Sequence, residues 1–318
     1  MIRHLLHRFA EAALVLLVVS FLAFALIGLM PGDPIDLLVN ADPNVTTADA
    51  ERLKALYGLD RPLLDRYLAW LGGALQGNLG FSRLYAQPVG AVLTGPLLNT
   101  VLLMGLSLVL GLVVAVPLAL LAVRRPHGVL DLVVNAGAFA GLSLPSFWLP
   151  LLLILLFAVT LGWLPAGGVH AVGDPSLASR VTHLVLPVLT LTVLNAGVYL
   201  RFTRGALLEV VAEDFMRTAR AKGLGLGAAL VRHALPNALL PLTTVVALHL
   251  GTLLSGALVV EVIFAYRGLG KLTYDAILGN DANLAMAVLM MATALTLACN
   301  VLADAVYGWL DPRVRFDG

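Results

Sequence analysis

Charge is scarce in this chain. Only 12% of its residues are Asp, Glu, Lys or Arg, against 60% hydrophobic, a balance that does not suit a soluble globular protein. The few charges nearly cancel. Twenty basic and 19 acidic residues leave a formal net charge of +1, which excludes the strong basic field of a nucleic-acid binder. Cysteine is scarcer still. Cys299 stands alone in an apolar run, so no intramolecular disulfide or cysteine-based metal site can form, and its side chain reads as a small buried apolar group. Catalytic motifs are missing or broken. None of the seven histidines is followed by Glu, which removes a His-Glu-x-x-His site. GLGKLT at Gly268–Thr273 ends like a phosphate-binding loop, but Ala265 stands at its first glycine position and Leu272 follows Lys271 where Ser or Thr is required. GLSLP at Gly141 falls short of a nucleophile elbow, with Pro145 in the last glycine place. A membrane-embedded hydrolase would need a Ser, Asp or His dyad inside the apolar runs, and none is evident. No catalytic residue, metal or cofactor is expected in this chain.

Long apolar runs are what the chain has in abundance. A bilayer core needs about 20 apolar residues of helix. Six stretches free of Asp, Glu, Lys and Arg meet this: Ala12–Met30, Leu97–Val123, Leu132–Leu164 (with room for an outer turn), Val181–Leu200, Asn237–Val260 and Ala282–Ala303. The pattern predicts an all-α membrane protein with about six transmembrane helices. The first run has the basic start and Ala23-x-Ala25 triplet of a signal peptide. It continues to Met30, about 28 Å of helix, and reads as an uncleaved span.

Arg and Lys set the orientation. With the N-terminus inside, inner segments hold Arg3, Arg8, Arg124, Arg125, Arg201, Arg204, Arg217, Arg220, Lys222, Arg232, Arg313 and Arg315. The short outer loops hold Arg180, Arg267 and Lys271. Both termini are therefore expected in the cytoplasm. The chain divides into an N-terminal end with the first span (1–30), an extracytoplasmic helical loop (31–96) and a five-helix core (97–318) with an inner loop at 213–236. In the outer loop, TTADAERLKALYGLD places Leu53, Leu56 and Tyr57 on one helix face before Gly58, and RPLLDRYLAWLGG does the same with Leu63, Leu64, Tyr67, Leu68 and Leu71. A packed lid and a docking surface both fit this loop.

The inner loop has a pattern that charge alone does not require. Glu213 and Asp214 open EDFMRTARAKG, where a helix dipole favours acids; Arg220 and Lys222 close it, where it favours bases. Gly223 can take the left-handed cap conformation. Phe215, Met216 and Ala219 share one side at helical spacing. A helix this short is unstable alone and must pack against something. Pro236 suits the first turn of the next span.

This stretch resembles the loop of ABC-importer membrane subunits, whose pattern is Glu-Ala-Ala, three residues, Gly, nine residues, Ile-x-Leu-Pro. Aligned on Gly223, Arg217-Thr218-Ala219 takes the first triplet and His233-Ala234-Leu235-Pro236 the last four places. The Gly, second Ala and Leu-Pro match; the Glu, first Ala and Ile do not. RTARAKGL followed by RHAL is similar to the dipeptide/oligopeptide/nickel permease branch. PGDP at Pro31, YGLDRPLLDRYLAWLGG at Tyr57, GNLGFS at Gly77, GLSLPSFWL at Gly141, LGWLPAGG at Leu161, HLVLPVLTL at His183 and LDPRVR at Leu310 also look like family landmarks. EVIFAYRGLGKL at Glu261 departs from a Trp-Pro-Gly-Leu-Gly landmark at Tyr266-Arg267.

The resemblance implies a type I ABC importer permease fold in a bacterial or archaeal cytoplasmic membrane. It implies partners: a second homologous permease subunit, cytoplasmic ABC ATPase subunits that hydrolyse the ATP, and an extracytoplasmic solute-binding protein. It makes the insert a coupling helix, with Asp214, Phe215, Met216, Arg217, Ala219, Arg220, Lys222, Gly223, Leu235 and Pro236 as its ATPase-coupling residues. A di- or oligopeptide is the expected substrate and nickel or a nickel chelate the alternative. Glu261 and Asp304 sit at span ends, where structural roles suffice. Asn195 and His249 lie deeper; each either lines the translocation pathway or makes an interhelical hydrogen bond. A bare-ion site would want several imidazoles or carboxylates at the depth of His249, and the spans offer few.

Overall fold

The structure, a computed structural model, describes residues 2–29 and 61–310. The helix expected over TTADAERLKALYGLD and the PGDP and DPRVR stretches lie outside the described residues. Helix α1 (Ile2–Gly28) starts within the basic N-terminal stretch, where Arg8 and Glu11 pair one turn apart at 3.0 Å. Helix α2 (Leu63–Leu75) follows Pro62, whose fixed φ suits a helix start. A short antiparallel pair, β1 (Phe81–Ser82) and β2 (Gln87–Pro88), leads into α3 (Val89–Val123). Then come α4 (Val129–Ser143), α5 (Trp148–Leu153, continued as a π-helix over Ile154–Thr160), α6 (Leu177–Val211) and α7 (Asp214–Ala221). Helix α8 (Leu226–Ala229) passes through a π turn at Leu230–Ala234 into α9 (Leu235–Ile263), followed by α10 (Leu269–Leu278) and α11 (Ala282–Leu310).

Among the described residues five helical stretches are long and apolar enough to cross a membrane: His7–Gly28, Val89–Val123, Leu177–Val211, Leu226–Leu250 and Ala282–Ala303. The third expected span is not one straight helix. Its two halves, Val129–Ser143 and Trp148–Thr160, meet at 104° and make a sixth span if the bent pair is taken as one. The bend falls at Leu144–Phe147, because Pro145 holds Leu144 extended (φ −73°, ψ 129°) and stops the first half. Pro236 stands in the first turn of α9, where its missing N–H costs nothing. A π turn joins that helix to α8, so the apolar stretch begins earlier than expected, at Leu226. The Asn237 side-chain amide donates to the His233 carbonyl at 2.8 Å.

The chain forms two compact units. The first comprises Met1–Leu6, Leu98–Lys271 and Thr296–Gly318; the second comprises His7–Leu97 and Leu272–Leu295. In the first, α6 packs on α4 and α9. Glycines permit the closest approach: a Cβ on Gly197 would lie 2.7 Å from the Ala138 carbonyl oxygen, and one on Gly141 would lie 3.1 Å from that of Val193. In the second unit Tyr67 packs edge-on to Phe21 and Phe24 and stacks with Trp70, its hydroxyl 2.8 Å from that of Ser20. Tyr67 is buried and Leu71 half-buried, whereas Leu63, Leu64 and Leu68 are exposed on the same helix. Asp281 ties the β1–β2 turn to the start of α11, accepting from Ser82 Oγ (2.6 Å), Leu84 N (3.0 Å) and Leu284 N (3.1 Å).

Candidate coupling surface and buried carboxylate nest

Helix α7 is closed by hydrogen bonds at its C-terminal end, while its N-cap residue makes no side-chain cap bond. Glu213 is its extended N-cap residue, and Asp214 stands in its first turn. At the other end Gly223 takes φ +90°. Its N–H reaches the Arg220 carbonyl at 3.0 Å, and the Leu224 N–H reaches that of Ala219 at 3.3 Å. These two bonds form a Schellman closure, which needs the left-handed residue that glycine supplies. Leu224 packs on the same cluster as Met216.

The apolar face of α7 points inward. Met216 is buried with Leu207, Ala229, Leu230, Ala234 and Val123, and Ala219 is buried beside it. Phe215 does not join them; it is 42% exposed, on the outer side with Asp214, Arg217, Arg220 and Lys222. The expected knob of three apolar residues is therefore split: two anchor the helix to the chain, and one is left on the surface. Arg217 donates to Asp214 at 3.2 Å, with both side chains largely in solvent. Leu235 is half-buried and Pro236 exposed in the helix beyond.

Close to this end of the spans lies a network that sequence reasoning missed. Asp131, buried in α4, accepts from Arg204 Nε (2.6 Å) and Nη2 (2.7 Å), from the His127 N–H (2.8 Å) and from Asn135 Nδ2 (2.7 Å). Such a forked, fully satisfied pair locks α4 to α6. The signal was a lone acid opposite a basic segment, at the edge of an apolar run that begins one residue later.

Asn195 and His249 behave differently from each other. Asn195 Nδ2 donates to the Leu191 carbonyl of its own helix at 2.6 Å, not across helices. His249 is half-buried on α9, its ring edge-on to Tyr199 of α6 at 5.6 Å. Tyr199 follows Asn195 by one turn, and its ring lies against Gly111. Among the described residues no group of three or more His, Cys, Asp or Glu could hold a metal ion.

The rejected phosphate-loop sequence does bind an anion, one belonging to the chain itself. Glu261 at the end of α9 is fully buried. Its carboxylate accepts from Thr100 Oγ1 (2.6 Å), Gly270 N (2.7 Å) and Lys271 N (3.1 Å), and Thr100 in turn accepts from Leu269 N at 2.7 Å. These amides begin α10, where the helix dipole favours a negative group. A Cβ on Gly268 would collide with the carboxylate, so only glycine lets the loop wrap so closely. Tyr266 is buried beside it; burial, then the Glu261 charge, pushes its phenol up to about 12.

Comparison with known proteins places this geometry in context. Residues 107–316 match the family described as binding-protein-dependent transport system inner membrane component, and residues 1–87 match its N-terminal counterpart. The oligopeptide transport system permease protein AppB of Bacillus subtilis is 36% identical over 318 residues, covering 99% of this chain and 100% of that protein. A putative peptide permease protein of Brucella suis biovar 1 is 36% identical over 317 residues, covering 99% of each. A chain from an inward-facing structure of the MetNI methionine ABC transporter superposes with a TM-score of 0.58 at 22% identity, over 69% of this chain and 96% of that one.

Proposed function

The chain belongs to the family of binding-protein-dependent transport system inner membrane components, and from that premise we propose that it moves di- or oligopeptides inward and takes its drive through α7. Its fold is all-α, the type I fold of ABC importer permeases, with, among the described residues, five helices that can span and a sixth span if the bent pair is taken as one. It is a transport subunit. ATP is hydrolysed by separate cytoplasmic subunits, and an extracytoplasmic binding protein delivers the solute to this chain and a second, homologous permease. The peptide reading rests on its relatives, two of which are named oligopeptide or peptide permeases at 36% identity over nearly the full length.

The orientation follows from charge. Counting the bent pair as one crossing puts α7 on the same side as Arg124, Arg125, Arg201 and Arg204, the basic side, which faces the cytoplasm. Both termini then lie inside. The observation that carries the coupling role is α7 itself, a helix closed at its C-terminal end by Gly223, anchored by Met216 and Ala219, with Phe215 and the basic side chains left outward. A rigid short helix transmits displacement to α6 and α9 without deforming.

Two measurements test this. A cysteine at Lys222 in intact cells reacts only with a membrane-permeant reagent; ready labelling by an impermeant one overturns the orientation. In a strain lacking the gene, the wild-type chain restores uptake of a labelled oligopeptide. If nickel uptake follows the gene and peptide uptake never does, the substrate reading is wrong.

A further inference from the structure

A cleft of about 220 Å³ opens where the inner end of α3 meets the α8–α9 helix. Leu120, Leu121, Leu230 and Val231 line it. Arg124, the residue after α3 ends, lines its polar end, and its guanidinium lies beside Gly227. A Cβ on that glycine would sit 3.3 Å from Arg124 Nη2, so the glycine leaves the cation its room. Among the described residues the Arg124 guanidinium has no carboxylate partner, unlike Arg204 and Arg217, which pair with Asp131 and Asp214. Leu121 and Val231 are 39% and 53% exposed, so the apolar wall faces outward from this chain.

These features select one kind of occupant. An apolar wall at the end of a membrane span suits the methylenes nearest a lipid headgroup. A single arginine at that depth suits a phosphate diester, which a guanidinium meets with two parallel hydrogen bonds. A free phosphate or a nucleotide would leave the leucine and valine wall wet. Arg125 and Arg232, adjacent in the chain to lining residues, add positive charge nearby. We propose that this cleft holds an anionic phospholipid of the inner leaflet, its phosphate on Arg124 and its acyl chain along Leu121 and Val231. The lipid would brace the helix that follows α7 against the bilayer. The leaflet assignment rests on the inward orientation proposed above; binding in detergent does not, so the two fail separately.

The test is lipid retention by the complete importer, delipidated in detergent and titrated with phosphatidylglycerol or phosphatidylcholine under native mass spectrometry. Wild type retains phosphatidylglycerol in preference to phosphatidylcholine. R124Q weakens the phosphatidylglycerol adduct roughly fivefold, the share of one basic side chain near a phosphate, and R124K keeps most of it. G227L, which fills the cleft, lowers the adduct as well. Glycerol 3-phosphate displaces nothing. Equal retention of the two lipids by wild type, or unchanged phosphatidylglycerol binding in R124Q, overturns the proposal. So does a Leu121→Cys probe that crosslinks to the ATPase subunit, which would assign the cleft to that partner. The wild-type lipid preference needs no variant, so the proposal stays testable even if a variant misfolds.

Discussion

Two short helices in this chain are made from similar parts and arranged in opposite ways. Both α10 and α7 have a glycine-bearing segment at one end, a carboxylate near the N-terminus and basic residues close by. At α10 the carboxylate comes from another helix, is fully buried, and is gripped by a hydroxyl and two backbone amides. At α7 the carboxylate belongs to the helix and points into solvent, paired loosely with an exposed Arg217. The α10 cluster is closed, because its carboxylate is spent on donors inside the chain. The α7 cluster is open, because its charged side chains stand in solvent. Charge content does not tell a structural polar cluster from a docking surface; where the hydrogen bonds go does.

The comparison is broken most forcefully at Glu261. Glu261→Ala removes the acceptor for Thr100, Gly270 N–H and Lys271 N–H at once. Each buried donor left unsatisfied costs about 1–3 kcal/mol, so the loss is on the order of 4 kcal/mol. It is read as a fall in the unfolding midpoint of purified protein and in the amount reaching the membrane. An unchanged midpoint would mean that the nest is not closed. Next comes Gly223→Val. Space is not the obstacle, since a Cβ there meets nothing within 4 Å; the φ of +90° is. A β-branched residue in that region is strained by about 1–3 kcal/mol and relaxes by unwinding the Schellman closure. The expected result is a chain that still reaches the membrane but loses peptide uptake and substrate-stimulated ATPase activity. Normal uptake would sink the coupling role of α7.

Much of this was readable in the sequence, and the failures share a cause. The apolar runs located the membrane helices, and the acids, bases and glycine of EDFMRTARAKG located both ends of α7, since these signals act within one or two turns. The bend at Pro145 lay inside a run that hydropathy reads as uniform, although the proline itself was the signal. Pro236 marked the start of α9, but the extension of the stretch back to Leu226 was not readable, because the π turn that joins α8 to α9 depends on packing around Leu230 and Ala234. The outward turn of Phe215, the Asp131–Arg204 fork and the Glu261 nest were likewise hidden. The nest and the fork depend on residues brought from more than sixty positions away, as Thr100 is to Glu261 and Asp131 to Arg204, and the facing of Phe215 is set by what Met216 packs against.

The smallest expected effect sharpens the comparison furthest, because it applies one chemical change to both sites. Asp214→Asn and Glu261→Gln each replace a carboxylate by an amide of the same size. At Asp214 the side chain is 94% exposed and its 3.2 Å contact with Arg217 is screened by water, so the unfolding midpoint of the isolated chain shifts by less than about 2 °C. At Glu261 the amide must turn one face of N–H donors toward Thr100 or toward the two backbone N–H groups, and no rotation satisfies all of them. The midpoint should fall several-fold further than for Asp214→Asn. Equal shifts would mean that the surface of α7 is as closed as the nest. Repeating the pair in the assembled importer separates the readings again. If a partner covers α7, Asp214→Asn gains a cost there that it lacked alone, since a salt bridge taken out of water no longer competes with solvation in the same way. Glu261→Gln, already sealed within the chain, costs the same in both settings. A cost for Asp214→Asn that stays near zero in the complex would leave Asp214 outside the docked surface and move the contact toward Phe215 and the basic end of the helix.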